Sequence, residues 1–244
     1  MLQIQETSRT NAHSAAHRTP VSACDQCPVR SASICGCDDV SRSLMSISKR
    51  QTKPAKTVLF EESDPANFVF NLVRGVVLLS KSLSDGRRQV VGIALPGDFM
   101  GLALTELHSF TATALSEVEV CRIERERFSA LLDENPRLVR RVYATSASEL
   151  TAAQDHMILL GRQTADEKVA SFLYRLRDRW ARVRSASARV DLPLTRQDIG
   201  DYLGLTLETV SRVFSKLAKQ KIIVVVPDGV RILDLDALGA MTVH

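Results

Sequence analysis

The stretch Thr195-Arg-Gln-Asp-Ile-Gly-Asp-Tyr-Leu-Gly-Leu-Thr-Leu-Glu-Thr-Val-Ser-Arg212 decides how this chain reads. Thr195 followed three residues later by Asp198 is a capping-box-like helix start. A first short helix then carries Ile199, Tyr202 and Leu203 inward. Gly204 supplies a tight turn, because glycine adopts positive φ without a Cβ penalty. Thr206 caps a second helix, whose buried stripe is expected to be Leu207, Val210, Val213, Phe214 and Leu217. This is the layout of a helix–turn–helix, whose second helix enters the major groove of DNA.

The outward face of the second helix is Glu208, Ser211, Arg212 and Ser215, at i, i+3, i+4 and i+7. An arginine donates two bonds to guanine O6 and N7, and a glutamate accepts from cytosine N4, so Arg212 and Glu208 can read one G·C pair. Thr195, Arg196, Thr206 and Thr209 complete the candidate DNA contacts. In an arbitrary helix the same two charges would be an exposed salt bridge worth only a few tenths of a kcal/mol. Charge agrees with DNA: between Lys168 and Lys221 stand 12 Lys/Arg against 5 Asp/Glu. Residues 222–226, Pro227-Asp-Gly229 and residues 230–233 read as a β-hairpin. A hairpin directly after a recognition helix is a wing, which positions by phosphate contacts without specifying sequence.

Working back along the chain, Thr164 opens the DNA-binding unit, with Asp166 and Glu167 in a first helical turn where the dipole favours them. Val169, Phe172, Leu173 and Leu176 give that helix its apolar face, and Ser185-Ala-Ser-Ala188 is a linker. Upstream, Val139, Val142, Ser146, Leu150, Ala153, Met157 and Leu160 recur at spacings of 3 and 4. The helix they define is roughly 36 Å long. A narrow apolar seam between two compact units is expected to find its partner on a second chain. The alternative is an intrachain helix packed on the preceding unit.

Residues 57–124 show short β-rich runs at 58–60, 68–73, 76–80, 89–95 and 118–123. Turn signals such as Arg74-Gly75, Ser84-Asp85-Gly86 and Pro96-Gly97-Asp98 separate them. The expected fold is α+β: an N-terminal antiparallel β-roll, a long dimerisation helix and a C-terminal winged helix–turn–helix. The boundaries read as a flexible arm with cysteines over 1–52, the roll over 53–135, the helix over 136–163 and the DNA-binding unit over 164–244.

Composition narrows the classes. The chain has 244 residues, 45% hydrophobic and 25% charged, with a formal net charge of +4. No apolar run approaches the ~18 residues of a membrane span, and no secretory signal is visible at the N-terminus. Five cysteines cannot all pair. The expected compartment is a reducing cytoplasm, where clustered thiols bind metal more readily than they form disulfides.

Four of the five stand in Cys24-x2-Cys27-x7-Cys35-x-Cys37, and Cys121 stands alone near the end of the last roll strand. Several soft thiolates in one short loop suit zinc or an iron–sulfur cluster. One solution is a local Cys₄ zinc site, against which counts the single residue between Cys35 and Cys37. Another joins Cys24, Cys27 and Cys35 to Cys121; position alone does not select it. No flavin, nicotinamide or P-loop fingerprint and no paired acid/base constellation accompanies the cysteines, so an iron–sulfur electron-transfer enzyme is not expected. His156 reads most simply as a helix-surface residue.

The order of cysteine arm, β-roll, long helix and winged helix–turn–helix resembles the Crp/Fnr family of bacterial transcription regulators, over roughly residues 24–235. The segment from Thr195 to Arg212, with the Glu208, Ser211, Arg212 triplet, is similar to the oxygen-sensing FNR-like subgroup. In that subgroup the triplet reads TTGAT-type half-sites, so the resemblance implies a homodimer on a TTGAT-N4-ATCAA-like palindrome. The cysteine spacing is similar to FnrN/FixK/FnrL-like members. Their pattern implies a [4Fe–4S] cluster on Cys24, Cys27, Cys35 and Cys121, with Cys37 spare or exchanging with Cys35. It also implies contacts with RNA polymerase through surface loops, for which Asp85-Gly86-Arg87-Arg88 is a candidate. Cyclic-AMP-binding relatives carry a Glu and an Arg after the Gly-Asp-Phe turn. Here Gly97-Asp-Phe-Met-Gly-Leu-Ala-Leu lacks the Glu and His108-Ser-Phe-Thr lacks the Arg, so cAMP is not expected. The alternative in the same architecture is a regulator governed by a small ligand, zinc or thiol redox.

Overall fold

The computed structural model describes Cys24 and residues 26–36, 38–102, 106–184 and 189–242. Residues 1–23 of the arm expected over 1–52, Cys37, the linker 185–188, and Ala103 and Leu104 of the cassette comparison lie outside the described residues. The rest of that span is not a flexible arm: Asp38–Ile47 is a helix and Ser48–Lys53 a strand of the roll, whose polar sequence holds its place only by pairing with residues 118–123.

Two four-stranded antiparallel sheets form the roll. One has the order β1-β8-β3-β6 and the other β2-β7-β4-β5. The strands are β1 (Ser48–Lys53), β2 (Val58–Phe60), β3 (Phe68–Arg74), β4 (Val77–Ser82), β5 (Arg88–Ala94), β6 (Phe99–Met100), β7 (Thr111–Ala114) and β8 (Val118–Glu124). Alternation puts Phe70, Leu72, Val118 and Val120 in the interior with Phe60, Val77 and Met100. Three of these strands carry no sequence signal. β1 is Ser-Lys-Arg-Gln-Thr-Lys, with no apolar residue, and is held as an edge strand by its ladder to β8. β6 is two residues long, and β7 is Thr-Ala-Thr-Ala.

Two helices flank the roll, α1 (Asp38–Ile47) and α2 (Arg125–Glu134). The long helix α3 follows as Pro136–Arg162, 27 residues or about 40 Å. Asn135 caps it by accepting from the Leu138 amide at 3.1 Å, with Pro136 at the first helical position. α3 buries only Leu138 and Leu159. Most of the expected seam is uncovered: Leu150 is 61% and Met157 63% exposed, Val139, Ser146 and Ala153 are exposed, and Val142 and Leu160 are half-buried.

The C-terminal unit is α4 (Ala165–Ala181), β9 (Arg189–Asp191), α5 (Arg196–Leu203), α6 (Leu207–Lys219), β10 (Ile223–Val226), β11 (Gly229–Ile232) and α7 (Leu235–Ala240). Thr164 and Glu167 form a complete capping box on α4. The three strands pair in the order β10-β11-β9. One core joins this unit to the roll: Val76, Leu78, Val90, Ile93 and Leu95 pack with the helices α4, α5 and α6.

Two expectations need correction. His156 is not a helix-surface residue: it is half-buried, its ring stacked on Tyr202 of α5 at 4.2 Å between centroids. An aromatic partner on a neighbouring helix has no signature in the α3 repeat. Leu207 is not part of the buried stripe of α6 but 41% exposed, because it opens the helix before the chain has turned its face onto α4.

Candidate DNA interface and cysteine site

α5 and α6 meet as the sequence implies. Thr195 accepts from the Asp198 amide at 3.0 Å, while the Asp198 carboxylate accepts from the Thr195 amide at 2.9 Å. Gly204 then turns the chain in the left-handed region, at φ 63°. Thr206 caps α6 by accepting from the Thr209 amide at 3.2 Å. Val210, Val213, Phe214 and Leu217 are buried, so the opposite face of α6 is left to solvent.

On that face Glu208, Arg212 and Ser215 are exposed and Ser211 is half-exposed. Among the described residues no ion pair joins Glu208 to Arg212. Glu208 instead has its carboxyl held below the usual range by its own backbone amide and the Thr206 hydroxyl. Ser215 donates to the Ser211 carbonyl at 2.9 Å, which leaves its oxygen free only to accept. Arg196 lies over the Phe214 ring at 3.6 Å. Its charge is partly desolvated there, and its first role is to cover the core of the motif.

Much of the local positive charge is already paired. Arg184 and Arg189 bind Asp191, Lys216 binds Asp166 at 2.5 Å, and Arg179 binds Asp98 of the roll. Arg88 of β5, in the loop segment expected to face RNA polymerase, binds Asp198 at 2.5 Å and Asp201 at 2.7 Å. Gln89 adds a bond to the Asp201 carbonyl at 2.6 Å. The roll hairpin thereby grips the first helix of the helix–turn–helix, a contact without any sequence motif. Arg87 pairs with Asp85 and remains exposed.

The cysteine loop is a run of tight turns. The Cys27 amide donates to the Cys24 carbonyl, Arg30 to Cys27, and Ser33 to Val29 at 3.0 Å. Val29 and Ile34 anchor it, both buried. Ile34 and Cys35 pack on Val69 of β3, Phe99 of β6, Ile123 of β8, Phe128 of α2, and Leu138 and Val142 of α3. Arg141 of α3, which sequence reasoning missed, donates to the Ser33 carbonyl at 2.6 Å. No motif marks it, since an arginine on a long helix reads as solvated.

Cys121 lies in the middle of β8, not near its end, opposite Arg50 of β1 and Asn71 of β3. It shares a face with Ile123, so its thiol lies on the side of the sheet covered by the cysteine loop. Burial pushes that thiol up to about 12, and the nearby Cys24, Cys35 and Cys27 push in the same direction. Cys35 is likewise raised by burial, with Cys24 and Cys27 adding to it and the Ser33 hydroxyl and Arg141 opposing. The cysteine loop and Cys121, from distant parts of the chain, thus meet on one face of the sheet. Among the described residues, no group of three or more His, Cys, Asp or Glu is drawn tightly enough to hold a single metal ion.

A winged helix–turn–helix with a free recognition face, carried on a β-roll through one long helix, defines a DNA-binding transcription regulator. Residues 167–241 match the Crp-like helix-turn-helix domain, and residues 50–135 match the cyclic nucleotide-binding domain. The chain is 42% identical to the nitrogen fixation regulation protein FixK of Bradyrhizobium diazoefficiens, over 89% of this chain and 94% of that one. It is 49% identical to the transcriptional activatory protein AadR of Rhodopseudomonas palustris, over 76% of this chain and 79% of that one. Among solved structures, FixK2 from Bradyrhizobium japonicum superposes with a TM-score of 0.75 at 35% identity, covering 81% of this chain and 98% of that one. The chain belongs to the Crp/Fnr family of transcription regulators. Among the described residues no helix is long and apolar enough to cross a membrane.

Proposed function

We propose that this chain is an oxygen-responsive transcription activator of the cytoplasm, which binds a TTGAT-N4-ATCAA-like palindrome as a homodimer and activates through RNA polymerase. Its sensor is a [4Fe–4S] cluster held by Cys24, Cys27, Cys35 and Cys121. The observation that carries this reading is that Cys121 shares a sheet face with Ile123, the face on which Ile34 and Cys35 of the cysteine loop pack.

The fit to a cluster rests on the donor set and its spread. Thiolates on one tetrahedral zinc ion, with Zn–S near 2.3 Å, stand about 3.8 Å apart. A four-iron cube takes each thiolate on a different iron corner, which needs a wider tetrahedron of sulfurs. All four donors are thiols, three from the loop and one from the sheet face it packs on, a donor set that suits the four corners of such a cube. When bound, such a cluster supplies an oxygen-labile tie between the loop and the roll.

The residues around it carry the signal onward. Ile34 and Cys35 share a core with Leu138 and Val142, and Arg141 holds the Ser33 carbonyl, so the loop's seating is coupled to the start of α3. Val139, Leu150 and Met157 on α3 are exposed apolar residues of the seam that a second copy would cover. A dimer presents two recognition helices about one turn of DNA apart. Stabilising the loop's docked position favours whichever α3 arrangement accompanies it, by linkage. Glu208, Ser211 and Arg212 then read base edges, while Thr195, Thr206, Thr209 and the wing face the backbone.

cAMP is not proposed as the effector, since Gly97-Asp-Phe-Met-Gly-Leu lacks the Glu, and His108-Ser-Phe-Thr the Arg, of the cassette in cyclic-AMP-binding relatives. The test is fluorescence anisotropy with a palindromic duplex under nitrogen and again after air. Affinity that falls on air exposure supports the reading. Affinity indifferent to oxygen but restored or lost with dithiothreitol points to thiol redox and overturns it.

A further inference from the structure

Asn71 is the most deeply buried side-chain amide near the cysteine site, 1% exposed, and neither its Nδ2 nor its Oδ1 has a hydrogen-bond partner. Because both atoms lack partners, exchanging the two in the assignment does not cure the deficit. A buried amide left unpaired keeps its full desolvation penalty, so a leucine of similar size would be the more stable choice for a purely structural position.

Its place in the sheet says what the amide is for. In the β3·β8 ladder Asn71 stands directly opposite Cys121, and in the β3·β6 ladder opposite Phe99. Directly opposed residues of an antiparallel pair project from the same face, with Cβ atoms about 4.5–5.5 Å apart. The neighbouring pair Val69 and Ile123 identifies that face as the one under Ile34 and Cys35. Asn71 therefore stands on the face under the cysteine loop, as the cross-strand partner of Cys121, with Phe99, Val69 and Ile123 on the same face. Arg50, the other cross-strand neighbour of Cys121, is engaged by Glu119.

We infer that Asn71 is a positioning residue for the cysteine site: its Nδ2–H donates a hydrogen bond to the Cys121 thiolate when that sulfur is a cluster ligand. The inference rests on the cluster reading above. A metal-bound thiolate sulfur is a stronger acceptor than a free thiol, and it would give the orphaned Nδ2–H a partner. Hydrogen bonds to the sulfurs of an iron–sulfur cluster withdraw charge from it and disfavour its oxidation. Asn71 thus sets how readily the site is lost to oxygen.

The test compares the anaerobically reconstituted full chain with Asn71→Leu and Asn71→Ser. Iron, sulfide and visible absorbance are followed on mixing with air-saturated buffer, resonance Raman spectra are taken in H₂O and D₂O, and urea unfolding is measured on the apoproteins. Expected are a deuterium-sensitive Fe–Sγ stretch in the wild type that Asn71→Leu lacks, and cluster loss about tenfold faster in that variant, the low end for outer-shell partners. Asn71→Leu apoprotein should be at least as stable as the wild type, and Asn71→Ser, which keeps a shorter donor, should fall between the two in cluster lifetime. Unchanged cluster lifetime and Raman modes in a brown Asn71→Leu protein overturn the role of Asn71 alone. An apoprotein strongly destabilised by Asn71→Leu overturns it too, since the amide would then have a protein partner. A wild type that takes up no iron and sulfide overturns the cluster reading and this inference together.

Discussion

Arg141 of the long helix donates through Nη2 to the carbonyl oxygen of Ser33, 2.6 Å away in the cysteine loop. A Cβ added at Gly36 would come within 2.3 Å of that same guanidinium nitrogen. The loop thus closes around the arginine with no room to spare, adding a polar tie to the packing of Ile34 and Cys35 on Leu138 and Val142 of α3. Arg141→Ala should cost about 1.5–3 kcal/mol, the range for a bond from a charged donor. Gly36→Ala should disturb the same contact less, because the guanidinium can swing aside. Urea unfolding followed by circular dichroism measures both.

Arg212 and Arg196 are expected to separate readout from packing. Arg212→Ala should lower operator affinity by about 1–3 kcal/mol and flatten the preference at the G·C pair it reads. Arg196→Ala removes the cover over Phe214 and should lower thermal stability by roughly 0.5–2 kcal/mol with base preference unchanged. Anisotropy with duplexes carrying single-pair substitutions, together with thermal melts, distinguishes the two outcomes.

The uncovered seam of α3 leads to a prediction about association. Leu150 and Met157 are more than half exposed, and a dimer is expected to bury both. Leu150→Glu with Met157→Glu sets like charges on a symmetric interface and should give a monomer. The roll and the winged unit should keep their fold, since neither side chain belongs to their cores. Sedimentation equilibrium and far-UV circular dichroism check the two halves of that statement.

His156 gives the packing of α3 on α5 a pH dependence. Burial lowers its pKa below the ordinary 6.5; a backbone contact with Tyr202 opposes this, and Arg175 and Lys168 add to it. The folded chain therefore binds fewer protons here than the unfolded chain does. Its stabilising share is full above about pH 6.5 and is lost as pH falls through the lowered pKa. Thermal melts between pH 8 and 5 should show this slope, and His156→Phe, which keeps the stack on Tyr202, should remove it.

The helix–turn–helix was legible because each of its joints is local: Thr195 and Thr206 cap within three residues, and Gly204 alone accepts φ 63° cheaply. The apolar strands of the roll were legible by alternation. β1 was not, since a strand of Ser, Lys, Arg, Gln and Thr exists only through its ladder to β8. Nor were Arg88 on Asp198, Arg141 on Ser33 or Asn71 beside Cys121, because each joins residues brought together only by the completed fold. The cysteines fell between the two cases: the loop's spacing was plain, but that the loop packs on the sheet face carrying Cys121 needed the fold.

On the reading proposed above, Cys24, Cys27, Cys35 and Cys121 hold one oxygen-labile [4Fe–4S] cluster. Its most direct test is the absorption spectrum of the anaerobically purified chain, with iron and sulfide analysis, before and after air. A brown protein with about four iron and four sulfide per chain is expected, bleached by air and absent in Cys121→Ser. A colourless protein holding one zinc per chain, or a brown one whose spectrum survives Cys121→Ser, contradicts the claim.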